Sequence, residues 1–127
     1  MPDPRPDAEL RIAADPRFLR VARVTAAALA ADLPFTVQDM EDLRVAVDEM
    51  AAATIEGCDG TEVLELRFAV DGDRLRVSGS VAGAGEPAEL HPVAADLLGL
   101  VADEYELRSD GADRVFRFTK RAGVLAP

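Results

Sequence analysis

The chain has 127 residues, 24 acidic and 14 basic, for a formal net charge of −10, with 49% hydrophobic and 30% charged residues. That is one globular domain around a single core, too short for two domains and too apolar for a disordered chain. So acidic a balance argues against affinity for a nucleic-acid backbone, which Lys and Arg supply, and favours a basic protein partner over DNA or an anionic membrane.

Cys58 is the only cysteine, so no internal disulfide can form and a reducing compartment is expected. The opening MPDPRPDAEL carries acids and prolines where a signal peptide needs an apolar run. No apolar stretch approaches the roughly 20 residues of a membrane span. A soluble, cytoplasmic protein is the expectation. Residues 1–8 read as a mobile Pro/Asp-rich tail, 9–121 as the domain and 122–127 as a second tail.

ELRIAAD is a short strand candidate. Asp15 followed by Pro16 is a helix start, a side-chain cap before a proline at the first helical position. Phe18, Val21, Ala22, Thr25, Ala28 and Leu29 recur at helical spacing, which predicts an amphipathic helix from Pro16 to about Asp32. In LPFTVQDM, Thr36 caps a second helix with Asp39 three residues on, and Phe35 and Met40 are placed for a hydrophobic staple. Val37, Met40, Leu43, Val47, Met50 and Thr54 form the predicted buried stripe, and Gly57 ends the helix. Asp48 and Glu49 flank that stripe.

From Glu62 the period changes to two. EVLELRFAV and DRLRVSGSVA alternate apolar with polar residues and are joined by DGD, a hairpin turn. AGAGEPAELHP is a small-residue loop. Pro92 to about Ala102 reads as a third helix with Val93, Leu97, Leu98 and Val101 on one side, and DEYELRSDGADRVFRFTK closes as a hairpin turning at Asp110-Gly111. Strand, two helices, hairpin, helix, hairpin is the order of a two-layer α+β sandwich, helices gathered on one face of a largely antiparallel sheet.

Read as residues alone, Glu49 is either a base presented to a pocket or a solvated helix-face carboxylate. His91 has no second His or Cys at ligand spacing, so no metal site is expected. Cys58 reads as an incidental thiol, and the acidic runs DMED and DEYE as solvated faces that could also dock an arginine-rich partner.

The element order together with FLRVARVTAAALAADLPFTVQDMEDLRVAVDEM resembles the anti-sigma-factor serine-kinase branch of the GHKL (Bergerat-fold, histidine-kinase-like) ATPases. The likeness runs from about Arg17 to Lys120. It is strongest in MEDLRVAVDE and continues in LLGLVADEYELRSDGADRVFRFTK. The resemblance implies three main helices on a mostly antiparallel sheet and a site for ATP and Mg²⁺. In that family the second helix carries Glu-x-x-x-Asn, a base and a metal ligand one turn apart on one helical face. Glu49 matches the base, but Ala53 stands at the asparagine position and Gly57 where a histidine often follows. The family's Asp-x-Gly-x-Gly aligns with VAGAG, with Val81 in place of the adenine-binding aspartate and Gly83 and Gly85 kept. Of the glycine-rich lid only Gly99 remains, and Pro92 removes a backbone donor there.

The resemblance therefore implies a regulator that binds a sigma factor or an anti-anti-sigma protein, as a homodimer, with ATP binding and kinase activity lost or strongly weakened. Arg20, Arg23 and Arg44 are the implied partner contacts. The alternatives are an active serine kinase, with Glu49 as base and Thr54 the nearest polar substitute for Ala53, and a sensor that holds another small ligand in an eroded pocket that Val81 makes more apolar.

Overall fold

The computed structural model describes residues 5–87 and 89–123. Strand β1 (Ala8–Ala13) is followed by a 3-10 turn (Pro16–Phe18) and helices α1 (Leu19–Ala30) and α2 (Val37–Ile55). Strands β2 (Val63–Asp71) and β3 (Arg74–Val81), helix α3 (Pro92–Val101), and strands β4 (Glu104–Asp110) and β5 (Asp113–Arg121) complete the chain. The five strands form one sheet in the order β1-β2-β3-β5-β4, every neighbouring pair antiparallel. The three helices cover one face, giving the α+β sandwich expected from the element order. No helix among the described residues is long and apolar enough to cross a membrane.

Strand alternation builds the core. Leu64, Leu66 and Phe68 of β2, Leu75, Val77 and Val81 of β3, and Phe116 and Phe118 of β5 point at the helices and are buried. They meet Leu43, Val47 and Met50 of α2, each burial stabilising by about 1.5–3 kcal/mol. Gly79 on β3 lies opposite Phe116 in the register, and a Cβ built there would stand 2.2 Å from the Phe116 ring. Phe116 stacks on Phe118 with ring centroids 6.4 Å apart. Both hairpin turns place a glycine in the left-handed region, Gly72 and Gly111, each at φ +64°.

The helices differ from the sequence reading in four places. Asp15 does cap, accepting from the Arg17 N–H at 2.9 Å, but it starts the 3-10 turn rather than α1 itself. In α1 the buried residues are Leu19, Ala22, Ala26 and Ala30, and Ala28 is exposed. An alanine-rich helix is weakly apolar all round, so packing against α2 and not the pattern selects the face. In α2 the stripe holds at Leu43, Val47, Met50 and Thr54, but Val37 is 84% exposed because it occupies the first turn, beyond the sheet's cover. In α3 only Leu98 is buried, while Val93, Leu97 and Leu100 face outward.

The described ends are fixed to the domain. Asp7 donates its N–H to Phe68 O, Ala8 opens β1, and Ala122 donates to Asp73 O. The remainder of the two expected tails, residues 1–4 and 124–127, lies outside the described residues.

Candidate functional site

Of the residues that the sequence singles out, Arg44, Glu49 and Ala53 lie on α2 and Arg23 reaches it from α1, and α2 is held at both ends by β5. At its start, Thr36 Oγ1 accepts from the Asp39 N–H at 3.0 Å and Asp39 Oδ2 accepts from the Thr36 N–H at 2.9 Å, a complete capping box. Asp39 also accepts from the Gly123 N–H at 3.0 Å, and the Lys120 ammonium of β5 lies 3.6 Å from both Asp39 and Asp42. Burial pushes the Asp39 carboxyl up, but the Thr36 and Gly123 N–H groups, the Thr36 side chain and Lys120 outweigh it and hold the group below its ordinary value.

At the other end, Arg114 Nη1 donates to the carbonyls of Thr54, at 3.0 Å, and of Glu56, two of the acceptors a helix terminus leaves open. Its Nη2 donates to Ala84 O at 3.0 Å, inside the VAGAG loop. Its Nε is buried with no acceptor among the described residues. The hairpin at the start of β5 fastens the same loop twice more: Gly83 N–H donates to Asp113 Oδ1 at 2.9 Å and Gly85 N–H to Ala112 O at 2.9 Å. Gly83 (φ +70°) and Gly85 (φ +78°) both need the left-handed region open to glycine.

Glu49 and Ala53 share one flank of α2, one turn apart, and both are half-buried. Glu49 makes no hydrogen bond or ion pair among the described residues. Thr54 is fully buried and donates its hydroxyl back to Met50 O at 2.7 Å, so it points away from that flank. Val81 closes β3, pairs with Leu64 and Arg114 in the register, and is fully buried in the core. Gly99 is exposed inside α3, not in a loop, and α3 is capped by His91, whose Nδ1 accepts from the Val93 N–H at 3.1 Å. His91 thus has a structural role that its solitary position in the sequence did not reveal.

The residues at these positions do not fit Mg-ATP. Ala53 has no ligand atom, Val81 cannot accept a hydrogen bond, and the Gly83 and Gly85 amides are already engaged by the hairpin. Among the described residues no group of three or more His, Cys, Asp or Glu side chains could hold a metal ion. Cys58 is half-buried, and burial, helped by Glu62, pushes its thiol up, which keeps it protonated and weakly nucleophilic at neutral pH.

On the opposite flank of α2, Asp48 joins two of the arginines picked out as partner contacts. Arg23 Nη1 of α1 lies 2.8 Å from Asp48 Oδ1, and Arg44 lies 3.8 Å from Asp48 and 2.9 Å from Glu41. Arg20 is exposed on α1, one turn before Arg23, and has no side-chain partner among the described residues. Sequence reasoning missed Arg114, Asp113 and Lys120. Their only signal is the even spacing that puts Arg114 and Lys120 on the helix side of β5, where a charged residue in an apolar series is out of place.

An antiparallel five-stranded sheet under three helices, with α2 tied at its C-terminal end to a two-glycine loop through Arg114, is an arrangement similar to that of the anti-sigma-factor kinases. In sequence and fold the chain is RsbW-like. It is 32% identical over 72 residues to the serine-protein kinase RsbW of Bacillus velezensis, covering 54% of this chain and 45% of that protein. It is 29% identical over 86 residues to RsbW of Bacillus licheniformis, covering 65% and 52%, and 29% identical over 72 residues to RsbW of Bacillus subtilis, covering 54% and 45%. The matched stretch spans about half the length of these curated relatives. The fold matches the crystal structure of the RsbU and RsbW domains of Rv1364c from Mycobacterium tuberculosis, with a TM-score of 0.62 at 19% identity over 91% of this chain and 33% of that one. No protein-family model matches the chain.

Proposed function

We propose that this protein is a cytoplasmic partner-switch regulator that acts by protein contact, binding a sigma factor or an anti-anti-sigma protein as a homodimer, with nucleotide binding and phosphotransfer lost or greatly weakened. The observation that carries the reading is Val81. At the position where the resemblance puts the carboxylate that would accept adenine's hydrogen bond, a valine is packed into the core with no exposed surface. Ala53 and the engaged glycine amides support the same conclusion from two other parts of the site. Each missing polar contact costs roughly 1–3 kcal/mol, and together they take micromolar nucleotide affinity out of reach.

The kinase alternative keeps Glu49 and the sequence likeness to serine-protein kinases, but it needs a substitute for the ligand absent at Ala53. Thr54 is not that substitute, since its hydroxyl is buried against Met50 O. A small-ligand sensor would need Val81 to line a cavity, and Val81 is in the core.

The test is isothermal titration with Mg-ATP alongside a phosphotransfer assay on an anti-anti-sigma protein. No measurable heat and no transfer, with a sigma factor co-purifying in the absence of nucleotide, is the expected result. Micromolar ATP affinity, or a phosphorylated partner, overturns the reading. So does a monomer that ignores every sigma factor of its host.

A further inference from the structure

The sheet face turned away from the helices carries a feature unrelated to the α2 site. Strand alternation there brings Arg67 of β2, Arg74 and Arg76 of β3 and Arg117 of β5 to one side, and Arg5 joins them around a cavity of about 440 Å³. Against five arginines, Glu104 is the only acidic residue lining it among the described residues. That is the reverse of the chain's balance of 24 acids to 14 bases.

The register explains the hollow. Arg67 pairs with Ser78 and Ser78 with Arg117, so two guanidinium stems two strands apart, about 10 Å, flank a short hydroxyl side chain. In the next row Arg76 lies between Ala69 and Thr119. Long cationic arms over a floor of small residues leave a trough with hydroxyl donors at its base. Three of the arms hold exposed carboxylates at the rim: Arg67 to Glu9 at 3.4 Å, Arg76 to Asp71 at 3.0 Å and Arg117 to Glu106 at 2.9 Å. Such exposed pairs are worth about 0–1 kcal/mol and exchange readily for a multivalent anion. Arg74 and Arg5 have no carboxylate partner among the described residues.

We propose that this face binds a compact polyanion carrying two or more phosphate groups. The cavity falls within the roughly 300–1,000 Å³ of small-ligand sites. The guanidinium fork matches phosphate oxygens bidentately, and Ser78 and Thr119 supply neutral donors beneath it. No metal ion is required, because the arginines provide the countercharge. The site lies on the opposite layer from Glu49, Ala53 and the glycine loop, so it stands or falls independently of the function proposed above.

The experiment is calorimetric titration of the full chain with sodium tripolyphosphate at low and at physiological ionic strength. Saturable one-to-one binding is expected, weakening with salt and falling about tenfold in each of Arg74→Ala and Arg117→Ala, while Arg17→Ala on the helix layer leaves it unchanged. Both test positions lie at the surface, and circular dichroism confirms that the variants fold. Absence of saturable binding overturns the proposal, as does affinity unaltered in the Arg74→Ala/Arg117→Ala double variant. Poly-glutamate binding as tightly as tripolyphosphate also overturns it, since the trough would then be reading an acidic chain.

Discussion

Arg114 and Lys120, six residues apart on the same face of β5, grip opposite ends of α2: Arg114 the C-terminal carbonyls of Thr54 and Glu56, Lys120 the N-terminal carboxylates of Asp39 and Asp42. Six strand residues span about 20 Å and the 19 residues of α2 about 28 Å, so one strand underlies most of the helix. Arg114 extends the grip to the glycine loop through Ala84 O.

Replacing Arg114 with Ala removes three charge-assisted hydrogen bonds at once. A loss of about 2–4 kcal/mol in unfolding free energy is expected, read from the urea midpoint. Hydrogen exchange at the Gly83 and Gly85 amides should accelerate more than at the centre of β3, because the loop loses one of its three fastenings while the strand keeps its ladder.

Asp39 makes stability depend on acid. Its folded-state value is depressed, so between its ordinary value near 3.8 and the lower folded value the unfolded chain binds more protons than the native one. The contribution is fully present above the ordinary value and disappears as pH falls through the folded one. Stability measured by denaturant across that acid range should fall less steeply in Asp39→Asn than in the natural chain. At neutral pH Lys120→Met should cost about 3 kcal/mol, because it leaves Asp39 buried without its cation.

Gly79 has no space for a side chain. Gly79→Ala would drive a methyl into the Phe116 ring, 2.2 Å from the ideal Cβ. The ring's stack on Phe118 limits where it can go, and a destabilisation of about 1–3 kcal/mol is expected in thermal or urea unfolding. That outweighs the backbone-entropy gain of roughly 0.5–1 kcal/mol that alanine brings to a strand interior.

Restoring the missing polar groups should not be symmetrical. Ala53→Asn changes a half-buried helix position and is expected to cost about 0.7 kcal/mol from helix propensity alone. Val81→Asp places a carboxyl in the core and should destabilise by about 3 kcal/mol or more, or keep the group protonated well above the ordinary carboxylate range. Calorimetry of the two single variants checks this. Equal stabilities would mean that Val81 is less confined than its burial implies.

Much of the fold was legible because local chemistry and global packing agree. The Thr36/Asp39 box, the Asp-Gly turns at Gly72 and Gly111, and the period-two stretches all specify their elements through short-range interactions. Helix faces were less legible: Val37, Ala28 and Val93 are apolar yet exposed, because at a helix end or in an alanine-rich stretch the partner surface decides what is covered. Of the site, Glu49, Ala53, Val81 and the two glycines could be placed along the chain. The Arg114 and Lys120 contacts, joining residues some 60 and 80 positions apart, could not be read from linear spacing. The arginine trough was hidden more thoroughly, since a net charge sums over both faces of a sheet that the alternation separates.

Lys120 is the only lysine in the sequence, and its side chain retains 11% of its accessible surface. Amine-directed reagents, whether cross-linking esters, reductive methylation or enzymatic acylation, therefore find almost no side-chain target while the domain is folded. Modification of Lys120 becomes a gauge of the separation of β5 from α2, and a cross-linking search for the partner is better built on carboxylate or arginine chemistry.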